Sequence, residues 1–335
     1  MRLEKLKKIL RSRRLDAALV FDEANVLALT GVKCDNACVA VKGDDVVFFT
    51  DFRYFAEVRR TRPALCVRDM KRLGAFLANV RRIGYESCVT HARYLRLAEI
   101  FPKAKFTDIL ADICALRAVK TAEEAEKLRR AEALSVEIWK DASAAFRPGM
   151  TEREMARIIK RMMLERGEGE AFETIVCVGA NAAECHHVPD DTVWNARESV
   201  LVDMGVKLGG VCSDLTRNIV PKRASPLYRR VCDIVERANR AAIAAVKPGM
   251  TVKALDKVAR SLITKEGFGK CFGHSLGHGV GYEIHEAPTV SKRSDTVLEP
   301  GMVITIEPGI YLEGNLGVRI EDLVLVTEDG CEVLS

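Results

Sequence analysis

Residues 148–169 read PGMTEREMARIIKRMMLERGEG, and residues 248–269 read PGMTVKALDKVARSLITKEGFG, the same pattern one hundred positions further on. In both copies an Ala-rich helical stretch precedes Pro-Gly-Met-Thr, an amphipathic helix follows, and Gly-x-Gly ends the unit. Ungapped agreement of this kind points to a duplicated unit, and duplicated halves commonly build a site at their shared interface. Each half runs on into β-like segments. The C-terminal region is therefore expected to be α+β, with two similar halves related by a pseudo-twofold.

Upstream of the repeat, residues 117–131 (RAVKTAEEAEKLRRA) are charged and helix-favouring, and Thr121 with Glu124 forms a capping-box pattern. A domain boundary is placed there, giving domains 1–118 and 119–335. The N-terminal part opens with an amphipathic helix whose apolar stripe is Leu3, Leu6, Ile9 and Leu10. β-like runs at 17–21 and 46–50 follow, with turn residues at 42–45, then a helical stretch at 69–82 and a strand at 83–86. This alternation predicts a small α/β domain, and nothing in it looks like an active site.

The chain has 335 residues and a mass of 37.1 kDa, with 48% apolar and 30% charged residues, a globular balance that excludes a disordered or collagen-like protein. No apolar run approaches the ~20 residues of a membrane span. Residues 1–14 carry seven Lys or Arg and lack the apolar core of a secretory signal, so none is expected. Net charge is +5, and residues 1–118 hold 23 basic against 14 acidic residues. These charges are scattered among apolar positions, which reads as solvated helix faces rather than a nucleic-acid surface. Eleven cysteines, an odd number without C-x-x-C, read as reduced thiols in the cytoplasm. Cys34 and Cys38 have no second pair with which to complete a metal site.

The chemistry lies in the second half. Residues 200–205 (VLVDMG) and 211–220 (VCSDLTRNIV) read as two strands joined by a loop at 207–210. With that loop, Val206 pairs with Val211 and Asp203 faces Asp214. Like charges so opposed are destabilising and call for a cation, a shared proton or a strong hydrogen-bond network. Residues 272–286 (FGHSLGHGVGYEIHE) set His274, His278 and His285 among glycines, residues 303–309 (VITIEPG) end a β run at Glu307, and residues 317–326 (GVRIEDLVLV) put Glu321 inside an apolar strand. Five of the six histidines fall between 186 and 285. Taken singly, each residue has an ordinary structural explanation; four carboxylates on apolar strands beside a histidine loop do not. Four ionised carboxylates balance two divalent cations. An oxygen-rich set with one imidazole suits Mn²⁺ first, then Co²⁺, with Fe²⁺ and Zn²⁺ also compatible. Such a pair can activate water and polarise a carbonyl. His274 and His278 stand four apart but lack the Glu of H-E-x-x-H, so a zincin helix is rejected.

The ordered set Asp203, Asp214, His278, Glu307 and Glu321 resembles the pita-bread metallopeptidases. Within them it is most similar to the Xaa-Pro dipeptidase (prolidase) and Xaa-Pro aminopeptidase branch. SDLTRN, HSLGHGVGYEIHE, TIEPGIY, GVRIEDLVLV and the 117–131 segment all resemble that branch, and the likeness covers nearly the whole chain. The N-terminal region similarly resembles the creatinase/prolidase N-terminal domain, which implies a homodimer.

The resemblance implies two metal ions per subunit: Asp203 chelating one, Asp214 and Glu321 bridging, and His278 with Glu307 holding the other. It implies attack by an activated water on the carbonyl before proline, with Glu307 as general base and acid. His274 and His285 would bind substrate and stabilise the oxyanion, and His186, or His187 if the loop shifts by one, would sit beside the leaving proline. Arg319 would meet the metal carboxylates or a substrate carboxylate, and Thr216 and Thr305 would support ligand carboxylates. Departures from the family pattern are Tyr282 for a small aliphatic residue, Cys185-His186-His187 for Pro-His-Gly, Asn218 for Thr, and an earlier end at Ser335, which is expected to loosen a sheet edge.

The expected activity is hydrolysis of Xaa-Pro dipeptides. The first alternative is an Xaa-Pro aminopeptidase acting on longer peptides; methionine aminopeptidase usually lacks the N-terminal domain. A non-catalytic binding module would have lost ligands that are all present here. A cysteine protease built on Cys185 rests on sequence adjacency alone.

Overall fold

The computed structural model describes residues 2–335, which form two compact units dividing between Arg117 and Ala118. The first is built on a six-stranded sheet of β1 (Ala17–Val20), β2 (Cys38–Lys42), β3 (Asp45–Thr50), β4 (Cys66–Asp69), β5 (Arg82–Tyr85) and β6 (Lys105–Asp108), in the order β4-β3-β2-β1-β5-β6. Its helices are α1 (Arg2–Ser12), α2 (Glu23–Thr30), α3 (Phe52–Thr61), α4 (Leu73–Phe76), α5 (His91–Ile100) and α6 (Leu110–Ala118). Every residue of β1 is buried, because Ala18 and Val20 enter one core with Leu6 and Phe48 while Ala17 and Leu19 enter another with Phe49 and Ile83. A strand covered on both faces is apolar throughout, which is why AALV does not alternate.

The helix expected over 69–82 is instead the end of β4, a 3₁₀ turn at Met70–Arg72 and the single turn α4. Asp69 accepts the N–H of Lys71 and starts the turn, while Asn79 at φ +71° lies in a left-handed conformation that no helix continues through. Cys34 and Cys38 belong to cores on opposite faces of the sheet, and no cysteine forms a disulfide.

In the second unit, α7 (Ala122–Ala145) starts at the expected Thr121–Glu124 capping box. The repeat becomes α8 (Glu152–Arg166), capped by Thr151, and α10 (Val252–Lys265), capped by Thr251, with α9 (Pro226–Ala245) between them. The two Pro-Gly-Met-Thr turns are pinned alike. Gly149 N–H donates to Trp194 O at 2.8 Å, and Gly249 N–H donates to Leu298 O at 2.9 Å.

The strands of this unit are β7 (Ile175–Val178), β8 (Val200–Met204), β9 (Lys207–Leu208), β10 (Val211–Cys212), β11 (Leu215–Ile219), β12 (Gly277–Gly279), β13 (Glu286–Val290), β14 (Val303–Ile306), β15 (Gly309–Leu312), β16 (Leu316–Arg319), β17 (Asp322–Val326) and β18 (Cys331–Val333). One sheet runs β11-β8-β7 and another β13-β12-β14-β17-β18, and a bridge between Thr216 and Glu321 joins them. The edge expected to be loose carries β18, paired along β17 from Val324↔Val333 to Val326↔Cys331.

The hairpin register differs from the expected one. Val211 pairs with Leu208, and Asp203 pairs with Thr216 rather than with Asp214. Gly209 and Gly210, at φ +62° and +79°, make a two-residue turn of the kind that matches strand twist, so the loop is two residues shorter than the four expected. A slip of two keeps the faces. Asp214 therefore remains on Asp203's side of the sheet, one step along the diagonal.

Candidate functional site

Strand alternation decides which side chains face the site. Val200, Val202 and Met204 of β8 enter the core formed with α7 and α8, leaving Asp203 on the opposite face. Thr216 stands across from it, and Asp214 precedes β11. Glu321 follows β16 at the bridge to Thr216, Glu307 follows β14, and His278 lies in β12. The junction of the two halves thus gathers all five ligand-type residues.

His278 Nε2 lies 3.5 Å from both Asp214 Oδ2 and Glu307 Oε1, too far for a good hydrogen bond. Its Nδ1 is 3.1 Å from Gly279 O, which places the proton on Nδ1 and leaves the Nε2 lone pair facing the carboxylates. Ligand atoms of Asp214, His278 and Glu321 all lie within 4.8 Å of one another. Thr216 donates to Glu321 Oε2 at 2.6 Å and Thr305 to Glu307 Oε1 at 3.3 Å. Asp203 Oδ2 accepts from Arg319 at 2.7 Å, while its Oδ1 is buried with no hydrogen-bond partner.

Burial and the neighbouring Glu321, Asp203 and Glu307 charges push the Asp214 carboxyl well above its ordinary range; burial with Glu307 and Asp203 does the same to Glu321. Burial, against the opposing pull of Arg319, pushes Glu307 up to about 8. His278 is pushed down to about 4 by burial and by His285, and is a neutral base at pH 7. Crowded buried carboxylates, an orphaned Asp203 oxygen and an imidazole lone pair aimed among them fit a pair of divalent cations.

A second cluster of Glu152, His187 and Asp190 has ligand-compatible spacing. Its Glu152 oxygens already accept from Val178 N, Asn181 Nδ2 and Asp190 N and lie 2.7 Å from His187 Nε2, so it is a satisfied hydrogen-bond network.

Arg319, 4% exposed, reaches Thr216 Oγ1 at 3.1 Å, Tyr311 Oη at 2.9 Å and Cys185 O at 3.4 Å besides Asp203. His274 Nδ1 donates to Ser275 O at 2.8 Å, so its Nε2 accepts from Tyr311 Oη at 2.9 Å. Burial lowers His274 to about 4, and burial with the charge of His186 lowers His285, whose ring centroid is 4.3 Å from that of His278. His186 acts electrostatically on both His274 and His285, whereas His187 turns away to Glu152. Burial pushes the Cys185 thiol up, the reverse of what a thiolate nucleophile needs. Tyr282 is directed to Glu124, to which it donates at 2.7 Å.

Residues 126–328 match metallopeptidase family M24, and residues 2–119 match the creatinase/prolidase N-terminal domain. The chain belongs to metallopeptidase family M24. The Xaa-Pro dipeptidase of Pyrococcus furiosus is 35% identical over 341 residues, covering 100% of this chain and 97% of that protein. The solved Xaa-Pro dipeptidase from Bacillus anthracis superposes with a TM-score of 0.96 at 31% identity, covering 99% of this chain and 96% of that one. The X-Pro aminopeptidase from Thermotoga maritima superposes with a TM-score of 0.88 at 33% identity, covering 97% of each chain. The expected fold, a pita-bread domain behind a creatinase-type N-terminal domain, is the fold of this M24 chain.

Four residues around the M24 site escaped the sequence reading. Tyr311, within the quoted TIEPGIY, links Arg319 to His274. Glu132, buried in α7 and pushed up to about 8 by that burial, accepts the backbone N–H of Asp214 at 3.1 Å. Lys120 and Glu286 form a buried ion pair at 2.6 Å next to His285. Of these, Glu132 carried a usable signal, a carboxylate on the apolar stripe of a helix.

Proposed function

We propose that this protein is a dinuclear-metal Xaa-Pro dipeptidase of the cytoplasm, acting as a homodimer with 1–118 as its creatinase-type domain and 119–335 as its catalytic domain. Its small peptide substrate carries proline at the second position. The observation that carries the reading is the convergence of Asp203, Asp214, His278, Glu307 and Glu321 on one buried pocket, in a chain alike over its whole length to Xaa-Pro dipeptidases. Asp203 would hold one cation, His278 with Glu307 would hold the second, and Asp214 and Glu321 would be shared between them, with Mn²⁺ the preferred ion and Co²⁺ next. When bound, the cations polarise the scissile carbonyl and acidify a water.

The side chains do the rest. Glu307, hydrogen-bonded by Thr305, takes the water's proton and returns it to the proline nitrogen. His285 and His186 meet the peptide around the carbonyl and the proline ring, and His274 joins them through Tyr311. Arg319 holds Asp203 in its chelating orientation and gives the pocket the cation that a dipeptide's free carboxylate requires. A dedicated pocket is needed because the imide before proline has no N–H and the ring fixes the backbone.

The likeness to the Thermotoga maritima X-Pro aminopeptidase favours a second reading, with the same chemistry on longer peptides. The test is hydrolysis by metal-stripped protein before and after adding Mn²⁺ or Co²⁺. Ala-Pro and Leu-Pro are compared with Ala-Pro-Ala, Ala-Ala and Met-Ala-Ser. Metal-dependent cleavage confined to the dipeptides is expected, preference for Ala-Pro-Ala selects the aminopeptidase, and cleavage of none by the metal-loaded protein refutes both.

A further inference from the structure

The strap 179–190, between β7 and the turn that returns to β8, carries Cys185 and His186 to the pocket, and one buried carboxylate ties it down. Glu152, the first residue of α8 and 0% exposed, accepts from Val178 N at 2.6 Å, Asn181 Nδ2 at 2.9 Å and Asp190 N at 3.1 Å. His187 stands between two carboxylates, Nε2 2.7 Å from Glu152 Oε2 and Nδ1 3.2 Å from Glu184 Oε2. In the other half of the duplication Glu152's position is held by Val252, equally buried but without a carboxylate to accept such bonds. On its far side the strap lies against β16, where Gly317 packs on Ala182 O, and Cys185 O accepts from Arg319.

We propose that His187 and Glu152 form a latch that fixes this strap, and through it sets His186 beside His274 and His285. His187 is thus a positioning residue, and its assignment rests on the Xaa-Pro peptidase reading above. It also accounts for the departure from Pro-His-Gly, because the glycine's place is taken by the imidazole that closes the latch.

The test is a double-mutant cycle on the metal-loaded protein with H187A, H186A and H186A/H187A, together with amide hydrogen exchange over 179–190. H187A is expected to raise KM for Ala-Pro about tenfold with kcat changed less than about threefold, the signature of lost binding. It is also expected to speed exchange of the strap amides at least tenfold. H187Q, whose amide can still donate to Glu152, restores both, and serves as the graded variant against E152Q if H187A does not fold. In the H186A background, H187A has no further effect on KM. Equal KM effects with and without His186, or unchanged strap exchange in H187A and E152Q, overturn the proposal. So does an extra equivalent of Mn²⁺ bound by wild type and lost in H187Q. Should wild type cleave no Xaa-Pro peptide, the functional reading fails while hydrogen exchange still decides the latch.

Discussion

Arg319 holds one oxygen of Asp203 at 2.7 Å and leaves the other buried and free of hydrogen bonds. A carboxylate so divided has one lone-pair set fixed by a cationic fork and the other open to a metal ion. R319M is expected to lower Mn²⁺ affinity about 10–100-fold, the usual scale for losing an outer partner of a metal ligand. R319K recovers little of it, because a single ammonium cannot reach Thr216, Tyr311 and Asp203 together. Titration calorimetry on metal-stripped protein reads both; unaltered affinity in R319M would refute the coupling.

Removing metal exposes the repulsion that metal conceals. Burial and neighbouring carboxylates push Asp214 and Glu321 upward, so the metal-free pocket is electrostatically unfavourable. D214N is expected to melt no lower than wild type without metal, and clearly lower when both are saturated with Mn²⁺. Metal affinity should fall by more than about 100-fold. Calorimetric melting with and without Mn²⁺ separates these effects, and a lower melting point for metal-free D214N would contradict the repulsion argument.

The sequence exposes ionisable residues placed where apolar ones belong, and conceals roles that depend on direction. Asp203 stands out because it interrupts an apolar strand whose other residues are buried, and Glu307 and Glu321 because each stands just beyond the end of a buried strand. The face shared by Asp203 and Asp214 is legible too, since a two-residue slip preserves strand parity; the register is not, because it turns on Gly209 and Gly210 alone closing the hairpin. Which of His186 and His187 enters the pocket depends on where the strap is anchored. That anchor, Glu152, reads in sequence as an ordinary acid in a helix's first turn. Tyr311 is invisible for a similar reason, since a tyrosine in a short strand is usual.

Tyr311 joins the arginine side of the pocket to its histidine side. Its hydroxyl accepts from Arg319 and donates to His274 Nε2, each at 2.9 Å. Y311F cuts both bonds while keeping the ring, so kcat/KM for Ala-Pro is expected to fall about tenfold, near the worth of one hydrogen bond to a charged group. Metal stoichiometry should stay the same, because no ligand carboxylate contacts the hydroxyl. Steady-state kinetics with parallel metal analysis tests this, and loss of a metal equivalent would show that Tyr311 acts on the cations instead.

The floor of the strap is intolerant of any side chain at Gly317. A Cβ there would lie 1.7 Å from Ala182 O, backbone against backbone, with nothing flexible to yield. G317A is expected to cost at least about 3 kcal/mol, the upper end for overpacking. Urea unfolding measures it, and a loss below about 1 kcal/mol would mean that the strap lifts away from β16 freely.

The latch gives stability a pH dependence of definite sign. Burial alone would lower His187, but its bonds to Glu152 and Glu184 and the nearby Asp190 raise it above the ordinary histidine value. A histidine raised on folding contributes stability that is fully present below its unfolded pKa of about 6.5 and is lost as pH rises through the folded value. Glutamine at 187 does not titrate. The melting-temperature gap between wild type and H187Q should therefore be widest near pH 6 and narrow steadily towards pH 9. Differential scanning calorimetry across that range decides it. A constant gap would mean that His187 is already neutral at pH 6 and donates from one nitrogen alone, leaving Glu184 outside the latch.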